Sequence, residues 1–226
     1  MSDELARLHA LATAGALAAG AVHETRNLLT GILGFAQVAK ERAGGQTTEV
    51  QRIERDAIRC LDVLERFLSL ARVPDEPVTA IDLGELVEDV AASLEPELAR
   101  KYVALHVNAP ADLPTVEARR GELHRAVLNL AMNAVHAAPR AGDIVVALAK
   151  SNGAVELAVA DSGSGVPPEL RERIFEPFFT TKSSGTGLGL ALCRASIERV
   201  GGTLVLDGTH APGARFVLRL PASGGG

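Results

Sequence analysis

The sequence predicts an α plus α/β protein, in which a long antiparallel helical hairpin precedes an α/β sandwich. The chain before Pro74 contains no proline, and its apolar residues recur at the three- and four-residue spacing of helices. After Pro77, short alternating apolar segments joined by turn residues indicate strands. Strands outnumber helices there and many are hairpin-linked, which favours helices on one face of a mixed sheet over a doubly wound fold.

The predicted domains follow this change of pattern. They are a helical domain at residues 1–73, a linker at 74–77, an α/β domain at 78–221 and a flexible tail at 222–226.

Composition excludes several classes of protein. The 226 residues are 47% hydrophobic and 23% charged, typical of a globular protein with two modest domains or one large one. A net charge of -5 argues against nucleic-acid binding, which normally needs a concentrated basic face. The Ala/Gly-rich stretch Leu11–Val22 is too short to cross a membrane and lacks a positively charged opening, so we expect a cytosolic protein. Cys60 and Cys193 lack metal-ligand spacing and are interpreted as small buried residues in a reducing compartment.

The two predicted helices of the hairpin are long. The first runs from about Glu4 to Ala43, roughly 60 Å, and Gly44-Gly45 ends it. Its apolar stripe consists of Leu5, Leu8, Ala12, Ala16, Ala19, Val22, Leu29, Leu33 and Ala36. Thr47 or Thr48 can cap the second helix. Its heptad positions are Val50, Ile53, Ala57, Cys60, Leu64, Phe67 and Ala71.

These stripes predict a homodimer. A single hairpin cannot bury apolar stripes that run along its full length, whereas a second copy completes a four-helix bundle. The alternative is a monomeric hairpin that packs on the next domain.

The α/β domain is predicted from alternating patterns, a cap and a turn. Asp82 caps a helix, and Ser151-Asn152-Gly153 is a hairpin turn. The predicted strands are Val78–Ile81, Val103–Val107, Asp143–Ala149, Ala154–Ala160, Thr203–Leu206 and Arg215–Leu220. The predicted helices are Leu83 to about Ala99, with a kink at Pro96, Glu122–Ala137 and Leu188–Val200. A proline-rich loop precedes the second of these helices.

A histidine, a carboxylate and an amide lie together in the first helix, in the run His23-Glu24-Thr25-Arg26-Asn27. His23 and Asn27 share one helix face, and Glu24 lies about 100° round it. A neutral imidazole is a good nucleophile near neutral pH, and a neighbouring carboxylate can hold its proton on one ring nitrogen. Taken alone, the run fits a solvated His–Glu pair on an amphipathic helix better than a catalytic site.

Two amides, Asn129 and Asn133, lie at i and i+4 on the helix predicted at Glu122–Ala137, so both face the same way. Buried amides on an apolar face cost free energy unless they bind a partner. An amide oxygen suits Mg²⁺ that is held mainly by phosphates and water. For the pair alone, a capping or interhelical role is at least as good an interpretation.

Asp161-Ser162-Gly163-Ser164-Gly165 directly follows a predicted strand. A carboxylate at a strand end can accept a hydrogen bond from an exocyclic amine such as that of adenine. The glycines let the backbone approach a flat base closely. Many surface turns share this pattern, so it is weak evidence by itself.

Two further segments complete a candidate phosphate site. Phe175–Lys182 places three of the six phenylalanines in an exposed loop beside one lysine. This fits a mobile lid with Lys182 as the phosphate counter-charge, or simply an exposed lysine. Gly185–Leu190 leads into a helix, where glycines free backbone N–H groups to bind an anion. Together with the Asn129 and Asn133 pair and with Asp161–Gly165, these two segments indicate a nucleotide-binding site.

With these motifs the sequence resembles a sensor histidine kinase of two-component systems. The resemblance covers nearly the whole chain, as a HisKA-type dimerisation and phosphotransfer hairpin followed by an ATP-binding domain of the Bergerat or GHKL type. His23–Asn27 is similar to the H box, Asn129 to Asn133 to the N box and Asp161–Gly165 to the first glycine box. Phe175–Phe179 is similar to the F box, and Gly185–Gly189 to the second glycine box.

The resemblance implies roles for individual residues. His23 accepts the γ-phosphoryl group of ATP, Glu24 orients and deprotonates it, and Asn27 orients water for dephosphorylating the partner. Asn133 binds Mg²⁺. The residues implied to bind ATP are Asn129, Asn133, Asp161, Gly163, Gly165, Lys182, Thr186, Gly187, Leu188 and Gly189. The implied partner is the receiver domain of a response regulator, whose aspartate takes the phosphoryl group.

The sequence departs from the family pattern at several places. Leu28 replaces the usual proline, so bending around the histidine is expected to be weaker. Ala214 stands where Ser or Thr is common, and Arg119 is expected to leave the N-box helix without its usual acidic cap. Within this sequence we identify no sensor domain or transmembrane pair before the hairpin. We therefore expect either the core of a longer protein or a signal that arrives through a separate sensor or input protein.

Three other functions remain open. A non-catalytic phosphotransfer relay would not bind nucleotide, and intact Asn133, Asp161, Gly163 and Gly187 argue against it. A serine kinase or ATPase of the GHKL superfamily would not need His23 in a dimerising hairpin. A coiled-coil adaptor leaves the second domain unexplained.

Overall fold

The computed structural model describes part of the chain, at residues 25, 29–41, 50, 53, 57, 60, 76–176, 179–182 and 187–223. The chain divides into two compact units, Met1–Val73 and Pro74–Gly226. The run around His23 and the predicted turn at Gly44-Gly45 lie outside the described residues. Among the described residues, no helix has both the length and the apolar character that crossing a bilayer requires.

The first unit is helical at every described position, including the continuous stretch 29–41. Ala36 and Ala57, which belong to the two predicted stripes, are buried. Ile53 is 48% exposed, however, and Cys60 is also exposed. The interpretation of Cys60 as a buried residue is therefore wrong for the single chain, because one hairpin cannot cover both of its apolar stripes.

The second unit is a mixed sheet with helices packed on it. Its strands are β1 (Thr79–Ile81), β2 (Ala104–Asn108), β3 (Val116–Ala118), β4 (Asp143–Ser151), β5 (Ala154–Asp161), β6 (Thr203–Leu206) and β7 (Arg215–Pro221). Its helices are α1 (Leu83–Lys101), α2 (Arg120–Ala137) and α3 (Gly189–Arg199), with 3₁₀ turns at Pro168–Leu170 and Arg173–Phe175. A five-stranded sheet has the order β2-β4-β5-β7-β6, in which β2 and β4 run parallel and the other pairs antiparallel. The predicted fold class is confirmed.

The core lies between one face of this sheet and the helices. Leu148, Leu157 and Leu218 are cross-strand neighbours on that face, and all three are buried. Leu130 of α2 and Ile197 of α3 belong to the same hydrophobic cluster. Aliphatic side chains thus fill the core, as the low aromatic content predicts.

Local signals placed several elements correctly. Asp82 caps α1, because its Oδ1 accepts the N–H of Gly84 at 2.7 Å and that of Glu85 at 3.2 Å. Asn152 and Gly153 form the turn between β4 and β5 with φ angles of 43° and 74°, the left-handed values that a tight hairpin needs.

One strand departs from the prediction. The sequence predicts only a proline-rich loop before α2, but β3 lies there and pairs antiparallel with β1 in a separate two-stranded sheet. Val116 and Ala118 are buried. A strand of three residues is too short to show a period in the sequence, which is why the pattern missed it.

Candidate functional site

Most of the predicted site residues of the second unit lie where α2, α3 and the end of β5 meet. α2 packs against both α3 and β5. It carries Asn129 and Asn133, while β5 ends at Asp161 and α3 begins at Gly189. Residues far apart in the sequence thus share one region of the fold.

Asp161 is a buried carboxylate, 5% exposed, at the end of β5. Its Oδ1 accepts the backbone N–H of Gly163 at 2.8 Å and that of Ala214 at 3.3 Å. Among the described residues, no hydrogen-bond donor contacts the other oxygen, Oδ2. Leaving such an atom unpaired costs free energy, so Oδ2 fits a donor brought by a ligand, such as an exocyclic amine.

Three glycines allow close approach of the backbone around Asp161. A Cβ on Gly163 would lie 2.5 Å from the carbonyl oxygen of Ala137, at the end of α2. Gly165 has a φ of +74°, and its Cβ would lie 2.8 Å from the carbonyl oxygen of Gly213. Gly213 has a φ of +93°, and a Cβ there would overlap the carbonyl oxygen of Asp161. Gly213 is not among the predicted site residues, although its position just before the last strand is a signal for a turn.

The two amides of α2 make different contacts. Asn129 Nδ2 donates to Cys193 Sγ at 3.2 Å. Asn133 Oδ1 accepts from Lys182 Nζ at 3.1 Å, so two residues predicted from separate motifs are in direct contact. Both amides are half-buried rather than buried, because the buried face of α2 is the one that carries Leu130.

Lys182, which donates to Asn133, and His136, three positions after Asn133 on α2, both have a lowered pKa. Burial lowers the pKa of Lys182, and the negative charge of Asp161 opposes this shift. Burial also lowers the pKa of His136, and the positive charge of Lys182 lowers it further. The His136 ring is therefore mainly neutral at neutral pH.

We expect the affinity for a nucleoside triphosphate to fall as the pH rises. The fall is expected to begin at a lower pH than it would with a lysine of ordinary pKa. Below its pKa Lys182 is charged and attracts phosphate, and above it the charge is lost. Because that pKa is lowered, the loss begins below the usual lysine range. Binding isotherms between about pH 7 and pH 10.5 measure the effect. In Lys182→Arg, whose guanidinium stays charged, the decline is expected to disappear; an equal decline contradicts the assignment to Lys182.

The N-terminus of α2 is capped by a residue from outside the helix. Arg119 makes no side-chain cap. Instead, the two carboxylate oxygens of Glu76 accept the N–H of Gly121 at 2.9 and 3.0 Å. Arg119 Nε in turn donates to the backbone carbonyl of Glu76 at 2.8 Å. Position 119 therefore lacks the usual acidic cap, as expected, and the carboxylate of Glu76 compensates for it from outside the helix.

Glu76→Ala is expected to lower the free energy of unfolding of the second unit by about 1 kcal/mol, the usual cost of a lost N-cap. The Glu76 carboxylate satisfies a helix-terminal N–H and places negative charge at the positive end of the helix dipole. Thermal unfolding measures the loss. The control is Glu88→Ala, which removes an exposed glutamate of α1 that has no hydrogen bond among the described contacts. Equal Tm values for the two variants would show that Glu76 is not a cap.

Further contacts fix the other end of α2 and its packing on α3. Lys101 Nζ donates to the carbonyl oxygens of Val135 at 2.8 Å and His136 at 2.9 Å, which satisfies acceptors at the helix C-terminus. Glu122, which is buried, forms an ion pair with Arg199 of α3. The helix that carries both amides is thus held at each end.

Phe175 is an anchor of the loop rather than part of an exposed lid. It is buried, its ring lies edge-on to Phe216 with centroids 6.3 Å apart, and the Arg194 guanidinium lies 4.3 Å above it. Arg173 lies 4.4 Å above the ring of Phe179. The expectation of exposed phenylalanines is wrong for Phe175, because residues from distant elements cover it.

The second glycine segment leads into α3. Gly187 has a φ of 68°, Leu188 is fully buried and Gly189 begins the helix beside Asn129. Backbone N–H groups at such a helix start can bind an anion. The predicted site residues that lie outside the described residues are His23, Glu24, Asn27 and Thr186.

The arrangement defines a class of protein. The second unit is a mixed α/β sandwich that combines four features: a buried carboxylate with an available oxygen, a close-packed glycine loop, a lysine–amide pair and a helix that begins after glycines. Together these features define a nucleotide-binding domain. In this chain a helical unit precedes it.

Comparisons with known proteins agree with both units. Residues 118–224 match the family of histidine kinase-, DNA gyrase B-, and HSP90-like ATPases. Residues 13–76 match the His Kinase A (phospho-acceptor) domain. The chain belongs to the sensor histidine kinases, and the resemblance seen in the sequence is confirmed.

Individual relatives show the extent of the similarity. The sensor histidine kinase ZraS of Escherichia coli O157:H7 is 35% identical over 99% of this chain and 49% of its own length. The crystal structure of full-length ShkA in complex with AMPPNP has a TM-score of 0.76 and 28% identity, over 91% of this chain and 45% of ShkA. Histidine kinase ThkA in complex with the response regulator protein TrrA has a TM-score of 0.69 and 27% identity, over 98% of this chain and 66% of that chain. The chain spans about half the length of the ZraS relatives it matches.

Proposed function

We propose that this chain is an ATP-dependent protein-histidine kinase that autophosphorylates His23 and passes the phosphoryl group to an aspartate of a response regulator. The observation that carries the proposal is the buried Asp161 carboxylate, whose Oδ2 is available to a donor beside a close-packed glycine loop. Membership of the family supports the link between this site and the preceding helical unit.

ATP and Mg²⁺ fit the residues of the second unit. Asp161 would accept a hydrogen bond from the adenine amine, while Lys182 and the N–H groups of Gly187 and Gly189 would hold the phosphates. Within the described part of the chain, no three His, Cys, Asp or Glu side chains cluster as a metal site. An ion held mainly by phosphate oxygens and water would take Asn133 Oδ1 as a protein ligand once Lys182 Nζ, which donates to that oxygen in the structure, turns to the phosphates. When bound, Mg²⁺ neutralises negative charge on the phosphates.

The proposed reaction is an in-line phosphoryl transfer. A nitrogen of the neutral His23 ring attacks the γ-phosphorus, and the new P–N bond forms as the bond to the bridging β–γ oxygen breaks and ADP leaves. Glu24 orients the ring and takes the proton from its other nitrogen. Positioning and charge neutralisation supply most of the catalysis in such transfers. The phosphoryl group then passes from the ring to a carboxylate oxygen of the regulator, and the complex of ThkA with a response regulator supports this partner.

Exposed apolar residues in the first unit support a homodimer. Phe35 is 80% exposed and Ile53 is 48% exposed in the single chain. Large exposed apolar side chains mark protein interfaces, and a second hairpin that completes a four-helix bundle would cover the heptad positions. We further propose a cytoplasmic location and domain boundaries at residues 1–73 and 78–221.

Incubation of the purified chain with γ-labelled ATP and Mg²⁺ tests the proposed function. The expected product is a covalent label that acid removes and base preserves, located on the peptide that contains His23. A chain that binds no nucleotide would be a phosphotransfer relay instead. An acid-stable, base-labile label would indicate a serine kinase of the same superfamily.

Asn27→Ala is expected to slow dephosphorylation of the regulator by about a hundredfold, as loss of a group that orients attacking water should. The residue lies four positions after His23, on the same helix face. Loss of label from the phosphorylated regulator measures the rate, with Arg26→Ala as the matched control. An Asn27→Ala chain that removes phosphate at the normal rate rejects this role.

A further inference from the structure

Cys193 connects α3 to the side chain and the backbone of the N-box helix. It is 2% exposed, and its thiol donates to the carbonyl oxygen of Ala126 at 3.3 Å. The same sulfur accepts Nδ2 of Asn129 at 3.2 Å. Gly189, four residues earlier on α3, lies against the same amide, since its Cβ would be 2.7 Å from Asn129 Nδ2 and 3.0 Å from Oδ1.

These contacts determine which way the Asn129 amide faces. A thiol has one proton, and here Ala126 accepts it. The sulfur accepts from Asn129 Nδ2, so it faces the NH₂ group of the amide. Among the described contacts, no hydrogen bond is made by the amide oxygen, which lies close to Gly189 at the start of α3.

We propose that Cys193 is a positioning residue, which holds the Asn129 amide with its oxygen directed to the hydrated Mg²⁺ and phosphates of ATP. This inference rests on the proposed function, because it assigns a support for one residue of that site. It differs from a packing role in one respect. A packing role needs a small apolar side chain at position 193, whereas a positioning role needs a group that both donates and accepts.

Two substitutions of the full chain separate these roles. Cys193→Ser keeps a donor for Ala126 and an acceptor for Asn129, whereas Cys193→Val fills the space and provides neither. We expect Cys193→Val to raise the Kd of Mg-ATP about fivefold, as loss of one hydrogen bond should, with Cys193→Ser within about twofold of the unmodified chain. The Kd of ATP measured with EDTA is expected to change less than about twofold in both variants, because Asn129 acts through the metal.

A second readout does not depend on nucleotide. The side-chain NH₂ signals of Asn129 in a nitrogen–proton NMR spectrum are expected to shift in Cys193→Val and to stay close to the unmodified positions in Cys193→Ser. A Cys193→Val chain that binds Mg-ATP normally, or two variants impaired equally, would overturn the proposal in favour of packing. If the unmodified chain binds no ATP, the proposed function fails, and the NMR comparison still shows whether Cys193 orients the amide.

Discussion

Asp161→Asn is expected to lower the affinity for ATP by about a hundredfold or more while the chain stays folded. Asn keeps an oxygen that can accept the N–H groups of Gly163 and Ala214, so the contacts that hold the loop persist. Its NH₂ group takes the position of Oδ2 and faces the amine of adenine. Two donors then meet in a buried site, and neither is satisfied.

Calorimetric titration with Mg-ATP measures the loss, and thermal unfolding checks the fold. The control is Asp112→Asn, an exposed residue without a hydrogen bond or ion pair among the described contacts, which removes the same charge. Inosine triphosphate carries an oxygen where adenine has its amine, so its affinity relative to ATP is expected to rise in Asp161→Asn. Unchanged preference between the two nucleotides would place the base away from this carboxylate.

His23→Gln is expected to abolish covalent labelling by γ-labelled ATP without changing the Kd of Mg-ATP. Glutamine is similar in size, but its amide nitrogen is not a nucleophile at neutral pH, so the P–N bond cannot form. The proposed phosphate-binding residues belong to the second unit, and the substitution leaves them in place. Residual acid-labile label in His23→Gln would assign the phosphorylated histidine elsewhere in the chain.

Mixing the two variants determines which subunit donates the phosphoryl group. Asp161→Asn retains the acceptor and His23→Gln retains the nucleotide site. In a mixed dimer, label is expected on the Asp161→Asn chain if one subunit phosphorylates its partner, and on neither chain if each subunit phosphorylates itself. Unmixed samples of each variant are the controls.

Features set by neighbouring residues could be predicted from the sequence. The Asp82 cap acts on residues two and three positions away, and the Asn152-Gly153 turn requires only its own backbone angles. The buried face of α2 follows from helical spacing. Asn133 and Lys182 were assigned through separate motifs, and the structure brings them into contact.

Features set by contacts between distant residues could not be predicted in this way. Glu76 caps a helix whose first turn lies 45 residues later. Gly213 is constrained by Asp161, and Phe175 is covered by Arg194 and Phe216. In each case the local sequence shows a residue type but not the neighbour that gives it a role.

The contact of Glu76 with α2 also affects how the second unit can be isolated. A fragment that begins at residue 118, where the match to the ATPase family starts, lacks both β1 and Glu76. A fragment that begins at Val78 keeps β1 but still exposes the Gly121 N–H to solvent. Excision in front of Glu76 preserves the carboxylate, so the residues before β1 are a structural part of the second unit.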